Sequence, residues 1–221
     1  MENADAVAEL AASRVLSAAR RALGGRGVFR LVLAGGGTPL QAYKILAASG
    51  ERWTGWRLYY GDERCLPVDH PQRNSRLCAD AWLNPADFPH SGHFPIAAEL
   101  GAEGAASDYR QTLEGQLPFD MVLLGMGEDG HTASLFPGHT EPDDSLVHAV
   151  HQAPKPPPDR VTLSSRALSD AREVLFLITG AGKHAALSRW RAGEDLPVSR
   201  IRARERLEVV MDAEALGSTV G

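Results

Sequence analysis

Residues 120–138 read DMVLLGMGEDGHTASLFPG, with Asp129 and His131 two positions apart and Thr132 following. Histidine suits general-base work near neutral pH, because its unperturbed pKa is about 6.5. A carboxylate beside it can orient the ring and stabilise its protonated form. The bland alternative is a loop histidine whose hydrogen bonds are satisfied locally. His131 and His139 are close in sequence, but no HExxH or comparable ligand set accompanies them, so the spacing implies no metal. Ser134 lacks the GxSxG setting of an esterase nucleophile and reads as structural.

Other motifs have the make-up of anion-binding elements. AGGGTP, at 34–39, can turn tightly and aim N–H groups at one point, and the helix that follows adds its positive N-terminal end. It is neither a Walker loop nor a GxGxxG fingerprint, and a plain strand-to-helix turn would look similar. In GDER, at 61–64, Asp62 and Arg64 either face a ligand or pair at the surface. Asn74, in HPQRNS, reads equally as a helix cap. In GAGK, at 180–183, Lys183 can neutralise a phosphate as a point charge. A cation opposes the dipole at a helix start, which disfavours a merely solvated lysine there. Arg160 follows the cluster Pro154, Pro156, Pro157 and Pro158, and its fork can grip phosphate or make a surface pair.

Elements must bring these residues together. Val7, Ala11, Val15, Ala18 and Ala22 recur at helical spacing, and Gly24-Gly25 is expected to stop that helix. Strands are expected at 28–34, 56–60, 121–124, 146–150, 160–164, 174–179 and 207–211. Helices are expected at 38–48, 75–83, 105–116 and 181–191. Residues 67–103 are turn-rich. Strands alternating with helices imply an α/β fold with a mostly parallel sheet covered on both faces, and the proline cluster reads as a loop within a single domain spanning 1–221. AGGGTP, GDER, GMGEDGH and GAGK each follow an expected strand. In a parallel sheet they would share one edge, giving anion-binding elements beside an acid–base pair: a site for a phosphorylated small molecule.

The 221 residues suffice for a sizeable core. A net charge of −5 gives no reason to expect nucleic acid as a partner. Cys65 and Cys78 show no CxxC or metal-ligand spacing and read as free thiols in a reducing compartment. The start, MENADAVAEL, lacks the basic and apolar regions of a signal peptide, and no apolar run approaches the roughly 18 residues of a membrane span. The expectation is a cytoplasmic, soluble protein. No long apolar stripe demands a partner, so a monomer is the default.

Nearly the whole chain resembles the 6-phosphogluconolactonases, within a wider group that includes glucosamine-6-phosphate deaminases. The resemblance runs from AGGGTP through GDERCLPVDHPQRNS, PFDMVLLGMGEDGHTASLFPG, PPPDRVTLS and LITGAGKHAAL to VVMDAEA. It implies a modified Rossmann-like α/β fold, no organic cofactor, and hydrolysis of a phosphorylated sugar lactone to 6-phosphogluconate in the oxidative pentose phosphate pathway. By position, His131 resembles the general base and Asp129 the residue that orients it or the sugar. Gly36, Gly37 and Thr38 would cradle the phosphate with Lys183 and Arg160. Arg64 would face the ring end, and Asp62 and Asn74 fall on further motif positions. The glycine loop often reads GGSTP in this group, and here Gly37 takes the place of the serine and its hydroxyl. The deaminases tend to carry tyrosine where this chain has Arg64, and a glutamate-containing run where it has TASLFP at 132–137. A sugar-phosphate sensor without catalysis is the other alternative, although no helix-turn-helix segment is visible.

Overall fold

Apolar runs at 29–33, 56–60, 119–125 and 171–178 are almost wholly buried, as strands covered on both faces must be. The computed structural model describes residues 1–142 and 144–217. In chain order the elements are α1 (Ala4–Arg26), β1 (Phe29–Leu33), α2 (Gly37–Ala47), β2 (Trp56–Tyr60), β3 (Asp62–Arg64), α3 (Asn74–Cys78), α4 (Ala102–Thr112), β4 (Phe119–Gly125), β5 (Val147–Val150), β6 (Arg160–Leu163), α5 (Ser165–Ser169), β7 (Ala171–Ile178), α6 (His184–Arg191), α7 (Pro197–Arg200), β8 (Arg206–Met211) and α8 (Ala213–Leu216). Five strands form a parallel sheet in the order β2-β1-β4-β7-β8. The order reverses at β1, which lies between β2 and β4, and such a switch point opens a crevice at the carboxyl ends of the strands.

Helix α1 buries Val7, Ala11, Val15, Ala18 and Ala22 and packs across β1, β4, β7, β8 and α2. Its small side chains let it lie close to the sheet. The region 67–103 is pinned by aromatic rings. Trp82 and Phe88 meet Trp53 at centroid distances of 5.2 and 5.9 Å, and Phe94 stacks on Tyr59 at 5.0 Å. Tyr109 Oη donates to the Phe94 carbonyl and accepts the Tyr60 N–H, tying α4 to the same strand.

Several expectations need correction. Gly24-Gly25 does not end the first helix, which runs to Arg26. A glycine pair only weakens a helix, whereas the stop comes from Gly27 at φ 69°, whose N–H returns to the Leu23 carbonyl. GDER, which follows an expected strand, forms a strand of its own: β3 pairs antiparallel with β6, and β6 with β5, in a separate three-stranded sheet. The strands expected at 146–150 and 160–164 are therefore not part of the parallel sheet, because short two-residue-period runs carry no signal for which sheet they join. The helix expected at 75–83 is α3 followed by a wide π turn at Ala79–Leu83, and the one at 181–191 opens with a tight 3-10 turn at Ala181–Lys183.

One buried charge holds the junction between the sheets. Glu63 is fully buried. Its Oε1 accepts the N–H groups of Arg64 (2.9 Å) and Asn74 (2.7 Å), and its Oε2 accepts that of Ser75 (2.8 Å). It thus caps α3 from another element. The Arg73 guanidinium lies 3.5 Å away and also donates to Glu99 (2.7 Å) and to the Ile96 carbonyl (2.6 Å). Glu63→Ala is expected to cost about 3–5 kcal/mol, because it removes one of the two carboxylates beside a buried cation and frees three amides. Urea unfolding reads this as a lowered midpoint, and an unchanged midpoint would contradict the role assigned to Glu63.

Candidate functional site

AGGGTP follows β1, GDER follows β2, GMGEDGH follows β4 and GAGK follows β7. These four strands are neighbours in one parallel sheet, so the four motifs emerge along one edge. There they enclose a cleft of about 340 Å³, within the range of small-molecule sites. Its walls include Gly35 and Gly36, Asp62 and Arg64, Asn74, Gly125 to Gly127, His131, Arg160 and Lys183.

The loop after β4 is built around its histidine. His131 Nδ1 is 2.5 Å from Asp129 Oδ1, and the His131 N–H donates to the same oxygen at 3.2 Å. An ionised carboxylate only accepts, so Nδ1 carries the proton and Nε2 is left with its lone pair. Gly127 is required beneath the ring, since a Cβ there would come within 2.0 Å of Nδ1. Phe136 backs the imidazole at a centroid distance of 4.8 Å. Burial pushes the His131 pKa down, and the Asp129 hydrogen bond and charge only partly restore it, so it lies below its ordinary value. For Asp129, burial pushes upward, but the hydrogen bonds and charge of His131 together outweigh it and leave the carboxyl low. At neutral pH the pair is a carboxylate beside a neutral imidazole.

Asp62 is nearly buried and fixed from two sides. Ser134 Oγ donates to its Oδ2 at 2.6 Å and Asn74 Nδ2 to its Oδ1 at 3.0 Å. Ser134 is structural as expected. Asn74 is not a side-chain cap: Glu63 caps α3, and Asn74 Oδ1 lies against Gly35, where a Cβ would approach within 2.2 Å. Asn74 Oδ1 and Arg64 Nε are buried without a hydrogen-bond partner among the described residues. Arg64 Nη1 donates to the Gln72 carbonyl at 2.5 Å.

The glycine loop brings Gly36, at φ 110°, into the cleft, but Gly37 and Thr38 are not on its wall. They open α2, which has no side-chain cap, so its first N–H groups point outward as donors. The Thr38 hydroxyl is engaged with Thr179 Oγ1 at 2.6 Å. Arg160 reaches the cleft with part of its fork engaged, and Nη1 makes only a long contact of 3.4 Å with Ser134 Oγ. Nε donates to the Pro157 carbonyl (3.1 Å), and Nη2 to those of Lys155 (3.0 Å) and Pro156 (3.1 Å). Lys183 is half-buried, and burial lowers its pKa against the raising influence of Glu128. Sequence reasoning missed Lys155, which joins the wall from the proline loop. The available signal was a lone cation in a stretch stiffened by four prolines.

Fold and cleft define a Rossmann-like α/β protein with a cation-rich crevice at its switch point. The chain belongs to the glucosamine-6-phosphate isomerases/6-phosphogluconolactonase family, whose model matches residues 2–211. It is 37% identical over 213 residues to the 6-phosphogluconolactonase of Mycobacterium tuberculosis, covering 89% of this chain and 86% of that one. It is 35% identical over 205 residues to the Oryza sativa protein named Probable 6-phosphogluconolactonase 3, chloroplastic, covering 81% of this chain. The matched region spans 62% of the length of that plant relative. The crystal structure of 6-phosphogluconolactonase from Thermotoga maritima superposes with a TM-score of 0.89 at 30% identity, covering 96% of this chain and 97% of that one. Among the described residues no helix is long and apolar enough to cross a membrane.

An NMR titration tests the electrostatics of the pair. The His131 imidazole should titrate below its ordinary 6.5. Asp129→Asn should move it lower still, because the carboxylate supplies the influences that raise it. An upward move in the variant would contradict this arrangement.

Proposed function

We propose that this chain hydrolyses 6-phosphogluconolactone to 6-phosphogluconate, as part of the oxidative pentose phosphate pathway. The observation that carries the reading is one cleft lined by both a neutral imidazole, oriented by Asp129, and the cations Lys183, Lys155 and Arg64. The names of the M. tuberculosis and T. maritima relatives support the substrate class.

In this reading His131 Nε2 takes a proton from water as the water oxygen attacks the lactone carbonyl carbon. Negative charge gathers on the carbonyl oxygen, where the guanidinium of Arg64, on the wall of the cleft, supplies the compensating charge. The tetrahedral species collapses, the bond from carbonyl carbon to ring oxygen breaks, and the imidazolium returns its proton to the leaving oxygen. The carboxylic acid so formed loses its remaining proton to solvent, leaving a carboxylate and a hydroxyl, and no covalent enzyme intermediate is needed. The outward N–H groups at the start of α2, together with Lys183, hold the 6-phosphate. Binding energy from that remote group positions the reacting carbon. Asp62 and Asn74, locked to each other at 3.0 Å, offer fixed polar groups for the sugar hydroxyls. The run at 132–137 holds no carboxylate, so the glutamate that the deaminases tend to carry there has no counterpart in this chain.

The test is hydrolysis of freshly generated lactone above its spontaneous rate. His131→Asn should lower turnover about 100- to 10,000-fold while 6-phosphogluconate still binds. Wild-type turnover in the folded variant would remove the imidazole from the mechanism. Lys183→Ala should instead raise KM about tenfold with kcat little changed. A KM at the wild-type level would refute its part in phosphate binding.

A further inference from the structure

We propose that Lys155 is a second phosphate-gripping cation of the cleft, and that Glu128 is the counter-ion an incoming phosphate dianion displaces. This deepens the lactonase reading and rests on it.

The backbone of Lys155 is fixed. Arg160 donates to the carbonyls of Lys155, Pro156 and Pro157, and the Ala153 N–H closes the loop on the Pro158 carbonyl at 2.9 Å. A buried guanidinium thus serves as the clamp of a stiff loop, and the lysine is the group that loop presents. Its side chain stays half-exposed and free to swing. Nζ lies 4.0 Å from Glu128 Oε2, a separation that brings the charges together without a tight hydrogen bond. The same carboxylate leans on the GAGK turn, where a Cβ on Gly182 would sit 3.3 Å from Glu128 Oε1. Glu128 therefore stands between the loop carrying Lys155 and the turn carrying Lys183. Both lysines line the cleft and Glu128 does not.

In the empty cleft one carboxylate faces two ammonium groups. A phosphate dianion between the lysines would balance both and be repelled by Glu128, which is two-thirds exposed and able to move aside into water. A neutral sugar gains nothing from displacing it. The carboxylate therefore lowers the affinity for phosphorylated ligands and leaves that for a neutral sugar untouched, while it keeps the two ammonium groups compensated until the dianion arrives.

Equilibrium titration with inorganic phosphate and with 6-phosphogluconate tests this on the intact protein. Glu128→Gln should bind both about two- to fivefold more tightly. Lys155→Met should bind them about tenfold more weakly, raising KM for the lactone rather than lowering kcat. Lys155→Arg should restore most of the affinity, since it keeps the charge. Unchanged or weaker binding in Glu128→Gln, or wild-type binding in Lys155→Met, would overturn the proposal. A wild-type protein that binds phosphate but does not hydrolyse the lactone would defeat the catalytic reading alone, and the titrations would still decide the roles of Lys155 and Glu128.

Discussion

The contact between Asp129 Oδ1 and His131 Nδ1, at 2.5 Å, is the interaction on which the proposed chemistry of this cleft depends. It fixes the imidazole tautomer, and with it the nitrogen left basic. The contact exists because β4 stops at Gly125 and the loop then folds back on itself, the Gly127 N–H donating to the His131 carbonyl at 2.8 Å. A side chain at Gly127 would occupy the space of the ring. Burial keeps the imidazole neutral while the carboxylate prevents its pKa from falling further. The result is a base that is unprotonated at neutral pH and yet can hold a proton transiently.

Around this pair the charges divide into fixed and free. Glu63 and Arg73 lie in the interior and hold α3 and β3 in register. Nε and Nη2 of Arg160 are taken up by three carbonyls and shape the proline loop, which leaves Nη1, 3.4 Å from Ser134 Oγ, as the less engaged part of the fork. The lysines carry their charges on flexible stems. Arginines with engaged forks and lysines on flexible stems together line the cleft.

Much of this was legible in the sequence. Glycine motifs after apolar runs located the cleft, because strand ends in a parallel sheet share an edge whatever the details of packing. Asp129 and His131 were readable because two residues in one loop cannot move far apart. What could not be read depended on tertiary pairing. GDER has the letters of a turn but pairs with a strand about 100 positions later. Asp62 and Arg64, alternate residues of β3, reach the cleft, while Glu63 between them points inward. Arg160 has the right chemistry for phosphate, but three of its five donors go to carbonyls of a loop whose path no periodicity reveals. Thr38 likewise finds Thr179, a partner 141 positions away.

The central claim is that a single crevice grips a charged tail while an imidazole activates water. Comparing kcat/KM for 6-phosphogluconolactone and for its unphosphorylated counterpart tests this most directly. A large preference for the phosphorylated lactone, shrinking as ionic strength rises, is the predicted result. Equal kcat/KM for the two lactones would contradict the account.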